Sequence, residues 1–220
     1  MHKIIDYVII EEDKMVYKFF KRLFDIIFGL IGLVFLIPLT VILKIAYMCT
    51  GDFHSIFFVQ PRIGKNGKIF RLVKYRSMMP NAEKELEELM KKDSKIKEEY
   101  QRNKKLVEDP RITKMGKFVR RFSIDELPQS INVFLGQMSL VGNRPYLTSE
   151  KREMGKYYDS IVKTKPGLTG LWQVSGHNNV PFRSRLELES TYSDIMSLSV
   201  DIGIIFKTFK AVFVGGNGAK

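Results

Sequence analysis

A mainly helical α/β domain with few short strands, attached to a membrane through one N-terminal helix, is the fold this sequence predicts. Three observations predict it: one almost unbroken apolar run, a series of amphipathic helical stretches around one strand-turn-strand segment, and a net charge of +12 over 220 residues. That length suits one domain with a real core, or a compact domain plus an anchor. A hydrophobic share of 45% is ordinary and excludes a polytopic membrane protein. The charge calls for an anionic partner: nucleic acid, acidic lipid headgroups or phosphorylated substrates. The lone Cys49 excludes an internal disulfide and a cysteine-rich zinc site, and His2, His54 and His177 lie far apart. A metal site therefore rests on carboxylates, which favours magnesium or manganese.

The apolar run covers Ile26 to Leu43, about the minimum length for a membrane helix. A long, mixed-charge segment precedes it and no small-residue cleavage site follows, so it reads as a retained anchor and not a signal peptide. Pro38 falls inside the run, where it removes a backbone hydrogen bond and bends a helix. Both flanks are basic: Lys14, Lys18, Lys21 and Arg22 before, then Lys44, Arg62, Lys65 and Lys68 after. Positive charge marks the cytoplasmic side. Two basic flanks therefore predict a re-entrant helix over 21–48, broken near Pro38, after an N-terminal extension, 1–20. A bitopic span or a buried helical hairpin is the plainer alternative for the same residues.

A cytoplasmic domain is expected over 49–193. Strand-like pieces Phe57–Gln60 and Ile69–Tyr75 flank the hairpin turn Gly64-Lys65-Asn66-Gly67. Pro61 to Arg76 holds six basic residues and no acid. Residues 81–105 read as a charged helical insertion with Leu86, Leu89, Met90, Ile96 and Tyr100 on one side, its charges a solvated face. Asp109-Pro110 ends it. Arg111 to Arg121 carries five cations and no acid. A helix follows, with Ile124, Leu127, Ile131, Phe134 and Leu135 at amphipathic spacing and Gly136 as its stop. Over 194–214 one broad face carries Ile195, Leu198, Ile202, Ile205, Phe206, Phe209 and Val212, with Lys207 and Lys210 off it. Such a stripe packs into a core or lies in a membrane interface; beside an anchor, the interfacial helix is preferred. Residues 215–220 form a glycine-rich tail. No internal repeat and no glycine-rich phosphate loop of known pattern is present.

Asp125-Glu126 is the most informative pair. Two adjacent carboxylates follow a run of five cations at the expected start of a helix. A helix N-terminus favours anions and lowers a carboxylate's pKa, so Asp125 is expected to be ionised and able to attack. The same end, with Arg120 and Arg121, can hold phosphate. Attack by a carboxylate on phosphorus gives an aspartyl-phosphate type intermediate, and Glu126 can hold the cation that neutralises a pyrophosphate being cleaved. The competing view is structural: Ser123-x-x-Glu126 is a capping box, and Asp in a first turn is good helix design. Arg144-Pro145 fits a strand end and turn, and Lys165 to Gly170 fits a loop.

Taken together, the motifs resemble the bacterial sugar transferase family, the small monotopic phosphoglycosyl transferases. The resemblance spans Lys18 to Val214. It rests on Lys21-Arg22-Leu23-Phe24-Asp25, Gln60-Pro61-Arg62-Ile63-Gly64, Phe70-x-x-x-Lys74-Tyr75-Arg76-Ser77-Met78 and Asp109-Pro110-Arg111-Ile112-Thr113. It continues through Ser123-Ile124-Asp125-Glu126-Leu127-Pro128-Gln129 and Gly136-x-Met138-Ser139-Leu140-Val141-Gly142-Asn143-Arg144-Pro145, and ends at Lys165-Pro166-Gly167-Leu168-Thr169-Gly170-Leu171-Trp172-Gln173-Val174-Ser175-Gly176. Order and spacing together make the match specific. The resemblance implies Asp125 as nucleophile and Glu126, with Asp125, as the magnesium site. It implies substrate-binding roles for Lys74, Arg76, Arg111, Arg120, Arg144, Pro145 and Gln173, with Arg144 on phosphate. It also implies an anchor broken near Pro38 and a hexose-1-phosphate donor such as UDP-galactose or UDP-glucose.

The implied reaction moves a sugar 1-phosphate from a UDP-sugar to undecaprenyl phosphate and releases UMP. It takes place at the cytoplasmic face of the bacterial cell membrane, as the first membrane step of polysaccharide or glycoconjugate assembly. Three positions depart from the family pattern. Asn143 replaces a proline, which points to a looser turn. His177 replaces an arginine, and Glu189 stands where aspartate is usual. Related longer proteins carry further N-terminal membrane segments, which this reading expects to be dispensable here. A non-enzymatic basic membrane adaptor is the alternative function. A nucleic-acid partner explains the charge and leaves the anchor unexplained. Oligomeric state stays open, a homodimer being one arrangement.

Overall fold

The computed structural model describes residues 14–104, 106–176 and 180–213. The first thirteen residues of the N-terminal extension, His177 and the tail 215–220 lie outside the described residues.

Helix α1 (Lys14–Cys49) is 36 residues long, about 54 Å at the usual rise. It stays helical through Pro38, where the sequence predicts a break. Pro38 offers no N–H to the carbonyl four residues earlier, yet the next turn is held from outside. The Thr40 hydroxyl donates to the Leu36 carbonyl at 2.6 Å and shares a hydrogen bond with the Tyr75 hydroxyl at 2.7 Å. Tyr17, Asp25, Gly29, Gly32, Leu36, Leu43 and Tyr47 form the buried stripe, at the spacing of one helical face. The opposite face exposes Phe19, Leu30, Ile31, Val34, Phe35, Ile37, Val41, Ile42 and Ile45.

Charged residues near the start of α1 clasp the domain. Lys21 donates to the Val141 carbonyl at 2.9 Å and pairs with Asp201. Arg22 donates to the carbonyls of Val133 and Phe134. Buried Asp25 accepts from the Ser139 hydroxyl at 2.9 Å and the Leu140 N–H at 2.7 Å. One position allows the close approach this needs: a Cβ on Gly32 would lie 2.6 Å from the Ser130 Cβ.

Strands β1 (Phe57–Ile63) and β2 (Ile69–Tyr75) pair antiparallel, from Phe57 opposite Tyr75 to Ile63 opposite Ile69. Their turn places Asn66 (φ 56°) and Gly67 (φ 75°) in the left-handed region, as the predicted hairpin requires. The expected single insertion helix is two, α2 (Ala82–Lys92) and α3 (Ser94–Asn103). Asp93 separates them: its backbone is extended and its carboxylate accepts the Lys95 N–H at 2.8 Å, so it caps a new helix. Next come α4 (Lys114–Arg121), capped by the Thr113 hydroxyl, and the short α5 (Gln129–Phe134).

A second, parallel pair joins β3 (Ser139–Val141) to β4 (Gly167–Thr169), with α6 (Lys151–Met154) and α7 (Tyr158–Ile161) between them. The chain closes with α8 (Leu171–Val174), α9 (Phe182–Ile195) and α10 (Leu198–Phe213). The predicted helix over 194–214 therefore starts later, because residues 194–195 complete α9 and Ser197 caps α10 through the Val200 N–H. Val200 and Ile204 of α10 enter a core with Val141, Leu171 and Tyr192. Ile202, Phe206 and Phe209, from the predicted apolar stripe, stay exposed.

Candidate active site

Asp125 and Glu126 lie in a single 3-10 turn, Ile124–Glu126, between α4 and α5. They do not open a regular helix. Ser123 takes a left-handed conformation (φ 54°, ψ 21°) and its side chain makes no capping bond, so the capping box is not formed. A non-glycine residue held there costs about 1–3 kcal/mol, a strain that surrounding packing has to impose. Asp125 is 9% exposed. Its carboxyl is pushed up to about 6, first by burial and then by Glu126, against the pull of Lys74 and Arg120. The lowered value expected from a helix N-terminus is thus reversed: the turn is too short for a strong dipole, and desolvation dominates.

The hairpin and α4 deliver the cations. Lys74, next to the end of β2, donates to Glu126 at 3.1 Å. Arg120, in the last turn of α4, is tied to the Ser77 hydroxyl at 2.8 Å. One buried carboxyl, one half-exposed carboxylate and two cations therefore share one turn. Among the described residues no cluster of three or more His, Cys, Asp or Glu exists. Two carboxylates completed by substrate phosphates and water are an ordinary magnesium site, so the donor set fits that ion.

Arg76 and Arg111 are placed elsewhere and spend their donors on the fold. Arg76 donates to the carbonyls of Ser55 and Met78 and to both carboxylate oxygens of Asp52 at 2.8 Å. Arg111 grips Asp109 at 2.6 Å and reaches the Ala82 carbonyl. Each braces a loop.

Arg144, Pro145 and Gln173 form a second group. Lys74 pairs with Phe58 and Arg62 with Phe70, so Arg62 lies four residues, about 13 Å, along the hairpin from Lys74. Arg62 donates to the Pro145 carbonyl at 2.9 Å. The Arg144 guanidinium sits 5.5 Å from the centre of the Trp172 ring, and that of Arg185 sits 4.6 Å from it. Gln173 donates to the Leu168 carbonyl at 3.2 Å. Sequence reading missed Arg185, and quoted Arg62 and Trp172 within motifs without giving either a role in the site. A signal existed: Arg185 and Glu189 stand four apart on the face of α9 that carries Phe182, Leu186 and Tyr192.

Glu189 is 1% exposed and accepts the Arg144 main-chain N–H at 2.7 Å. Burial pushes its carboxyl up to about 8, against the opposing charges of Arg144 and Arg185. Asn143 does not loosen its turn. Its amide nitrogen lies 2.8–3.1 Å from the Ile161 carbonyl and the Thr164 and Ser193 hydroxyls, contacts that hold the segment where a proline would supply rigidity.

A buried carboxyl beside a second carboxylate and two cations has the make-up of a phosphoryl-handling site. Comparison with known proteins gives that class a family. The bacterial sugar transferase family matches residues 16–215. An uncharacterized sugar transferase of Haemophilus influenzae is 40% identical over 199 residues, covering 90% of this chain and 42% of that protein. The exopolysaccharide production protein ExoY of Sinorhizobium fredii is 39% identical, covering 87% of this chain and 84% of that protein. The undecaprenyl-phosphate galactose phosphotransferase of Salmonella typhimurium is 42% identical, covering 89% and 40%. This chain thus spans about two fifths of the Haemophilus and Salmonella relatives and most of ExoY. It belongs to the bacterial sugar transferase family.

Proposed function

We propose that this protein transfers a sugar 1-phosphate from a UDP-sugar to undecaprenyl phosphate, as the membrane step that commits a sugar to polysaccharide assembly. The observation that carries the reading is Asp125, a buried carboxyl at a value near 6 that ionises at neutral pH between Lys74 and Arg120. An Asp125 oxygen attacks the β-phosphorus, the bond to the bridging oxygen breaks, and UMP leaves with that oxygen. The phosphate oxygen of the lipid then attacks the same phosphorus, and the Asp125 carboxylate departs. Lys74 and Arg120 offset charge on the phosphoryl oxygens during both steps. Magnesium, held by Glu126 with Asp125, would neutralise the diphosphate when bound.

The surface supports a membrane seat on the cytoplasmic side. From Tyr17 to Tyr47 the buried stripe of α1 runs about 45 Å, longer than the ~30 Å hydrocarbon core. A perpendicular crossing would draw the domain, with Lys21, Arg22 and Asp25, into lipid. A helix lying against the domain and sunk into one leaflet avoids that cost and leaves its apolar face to the acyl chains. Phe118 and Phe122 of the α4 region, beside the catalytic turn, are exposed among Lys114, Lys117 and Arg121. Aromatic and basic residues so mixed suit the headgroup layer, where the lipid phosphate lies.

The test is UMP release from a panel of UDP-sugars by detergent-purified protein with magnesium and undecaprenyl phosphate. Release from one donor, lost at least a thousandfold in Asp125→Asn on the scale of removed nucleophiles, is the expected result. Equal release by the variant removes Asp125 as nucleophile.

A further inference from the structure

We infer that Phe58, on the open edge of β1 beside Lys74, seats the first isoprene units of a polyprenyl phosphate, with Lys74 meeting its phosphate. Phe58 and Lys74 stand directly opposite one another in the antiparallel pair, so their side chains leave the same face of the hairpin, about 4.5–5.5 Å apart at Cβ. Lys74 carries its ammonium to Glu126 at 3.1 Å, in the turn that holds Asp125. Phe58 is 41% exposed, so an open aromatic ring stands one side chain away from the candidate site. Among the described residues β1 pairs with β2 alone in its sheet, and the isolated bridge from Arg62 to Leu147 covers the far end of its other edge. Phe57, Phe58 and Val59 are three consecutive exposed apolar residues on that strand. Edge strands that face water are blunted with charge; an apolar one calls for an apolar partner.

Three observations choose a lipid chain over the other flat or apolar occupants. Phe57 stacks on Tyr75 at 5.4 Å between ring centres, and the Tyr75 hydroxyl bonds Thr40 of α1. This end of the hairpin is thus held against the helix whose outer face exposes Val41, Ile45 and Met48, the face proposed to meet acyl chains. Gln60, next along the face that carries Phe58, is engaged at both ends of its amide. It donates to Glu83 at 3.3 Å and accepts from Arg62 at 2.7 Å. A nucleobase laid on Phe58 needs placed polar groups to read its edge; an isoprene chain needs none. The juxtaposition itself is amphiphilic: a hydrocarbon tail matches the ring, and a phosphate matches the ammonium beside it. A phosphate-headed apolar chain follows from this geometry, whereas its identity as the polyprenyl acceptor rests on the proposed reaction.

Acceptor and donor KM, measured at fixed detergent for wild type, Phe58→Ala and Phe58→Leu, test the seat. In Phe58→Ala the KM for undecaprenyl phosphate is expected to rise about tenfold, while the KM for the UDP-sugar holds. Phe58→Leu, apolar without a flat ring, should recover most of the loss, which a stacking platform for a base would not allow. A rise confined to the donor assigns the ring to the nucleotide and overturns the seat. An unmoved acceptor KM overturns it too, and a dimer that Phe58→Ala then dissociates would give the edge to a second copy. Photolabelling supplies a readout without turnover. A farnesyl-length phosphate with a diazirine in its first isoprene unit is photolysed with the wild-type protein in the absence of donor. Label within 57–60, competed by undecaprenyl phosphate, is expected; label that lies elsewhere or is not competed overturns the seat. Competed label with no transfer from any UDP-sugar would keep the seat and sink the reaction, and transfer with an unmoved acceptor KM would do the reverse.

Discussion

In the proposed reaction Asp125 has to lose its proton before it can attack, and burial beside Glu126 holds its carboxyl near 6. Below that value the carboxyl is protonated and inert, so kcat/KM should fall about tenfold per pH unit on the acid side. Lys74 pulls the value down; Lys74→Met should therefore move the acid limb to higher pH as well as slow the reaction. A pH–rate profile checks both, and a limb that stays in place would mean that a different group titrates. At this scale the dyad, Lys74 and Arg120 were legible in the sequence through motif order. The direction of the Asp125 shift was not, because it depends on how deeply the turn is buried. Arg185 escaped notice for a related reason: a lone charge reads as solvated until the tertiary fold covers it.

Among the elements, α1 and α10 share one property, an uncovered apolar face on a helix whose other face is packed. Phe206 is 71% exposed and Val34 70%, too much apolar surface to leave in water along two helices. Single cysteines at Val34 and Phe206, in a Cys49→Ser background, should carry dyes that brominated acyl chains quench in nanodiscs. A dye on Lys95 of α3 should not be quenched. Quenching at all three sites alike, or at none, would remove the one-leaflet seat. The hairpin and the long apolar helix were readable from turn chemistry and hydropathy. Three features were not. Pro38 stays within a helix because Thr40 and Tyr75 support the following turn. Asp93 divides the insertion because its carboxylate caps the second piece. Ser123 turns left-handed where local pattern calls for a cap. At Pro38 and Asp93 a tertiary or side-chain contact overrides propensity.

Across the whole molecule, one clasp relates the long apolar helix to the candidate site. Lys21, Arg22 and Asp25 fasten α1 to β3, α5 and α10, while Leu36, Leu43 and Tyr47 pack with Val119 of α4 and Tyr75 of β2. The Asp125–Glu126 turn follows α4, and Lys74 precedes Tyr75, so the helix that would seat in lipid also sets the position of the groups proposed to react. In the proposed reaction an acceptor whose phosphate lies at the bilayer surface would then reach Asp125 without leaving the membrane. The central claim is that the sugar phosphate rests on Asp125 between donor and acceptor. Its most direct test is mass spectrometry of the protein mixed with the preferred UDP-sugar and magnesium, without lipid, and quenched in acid. A hexose-phosphate adduct on the peptide containing Asp125, absent from Asp125→Asn and discharged by undecaprenyl phosphate, is the predicted result. UMP formed only when donor and lipid are both present, with no adduct at any time, would contradict it and point to direct transfer between the two substrates.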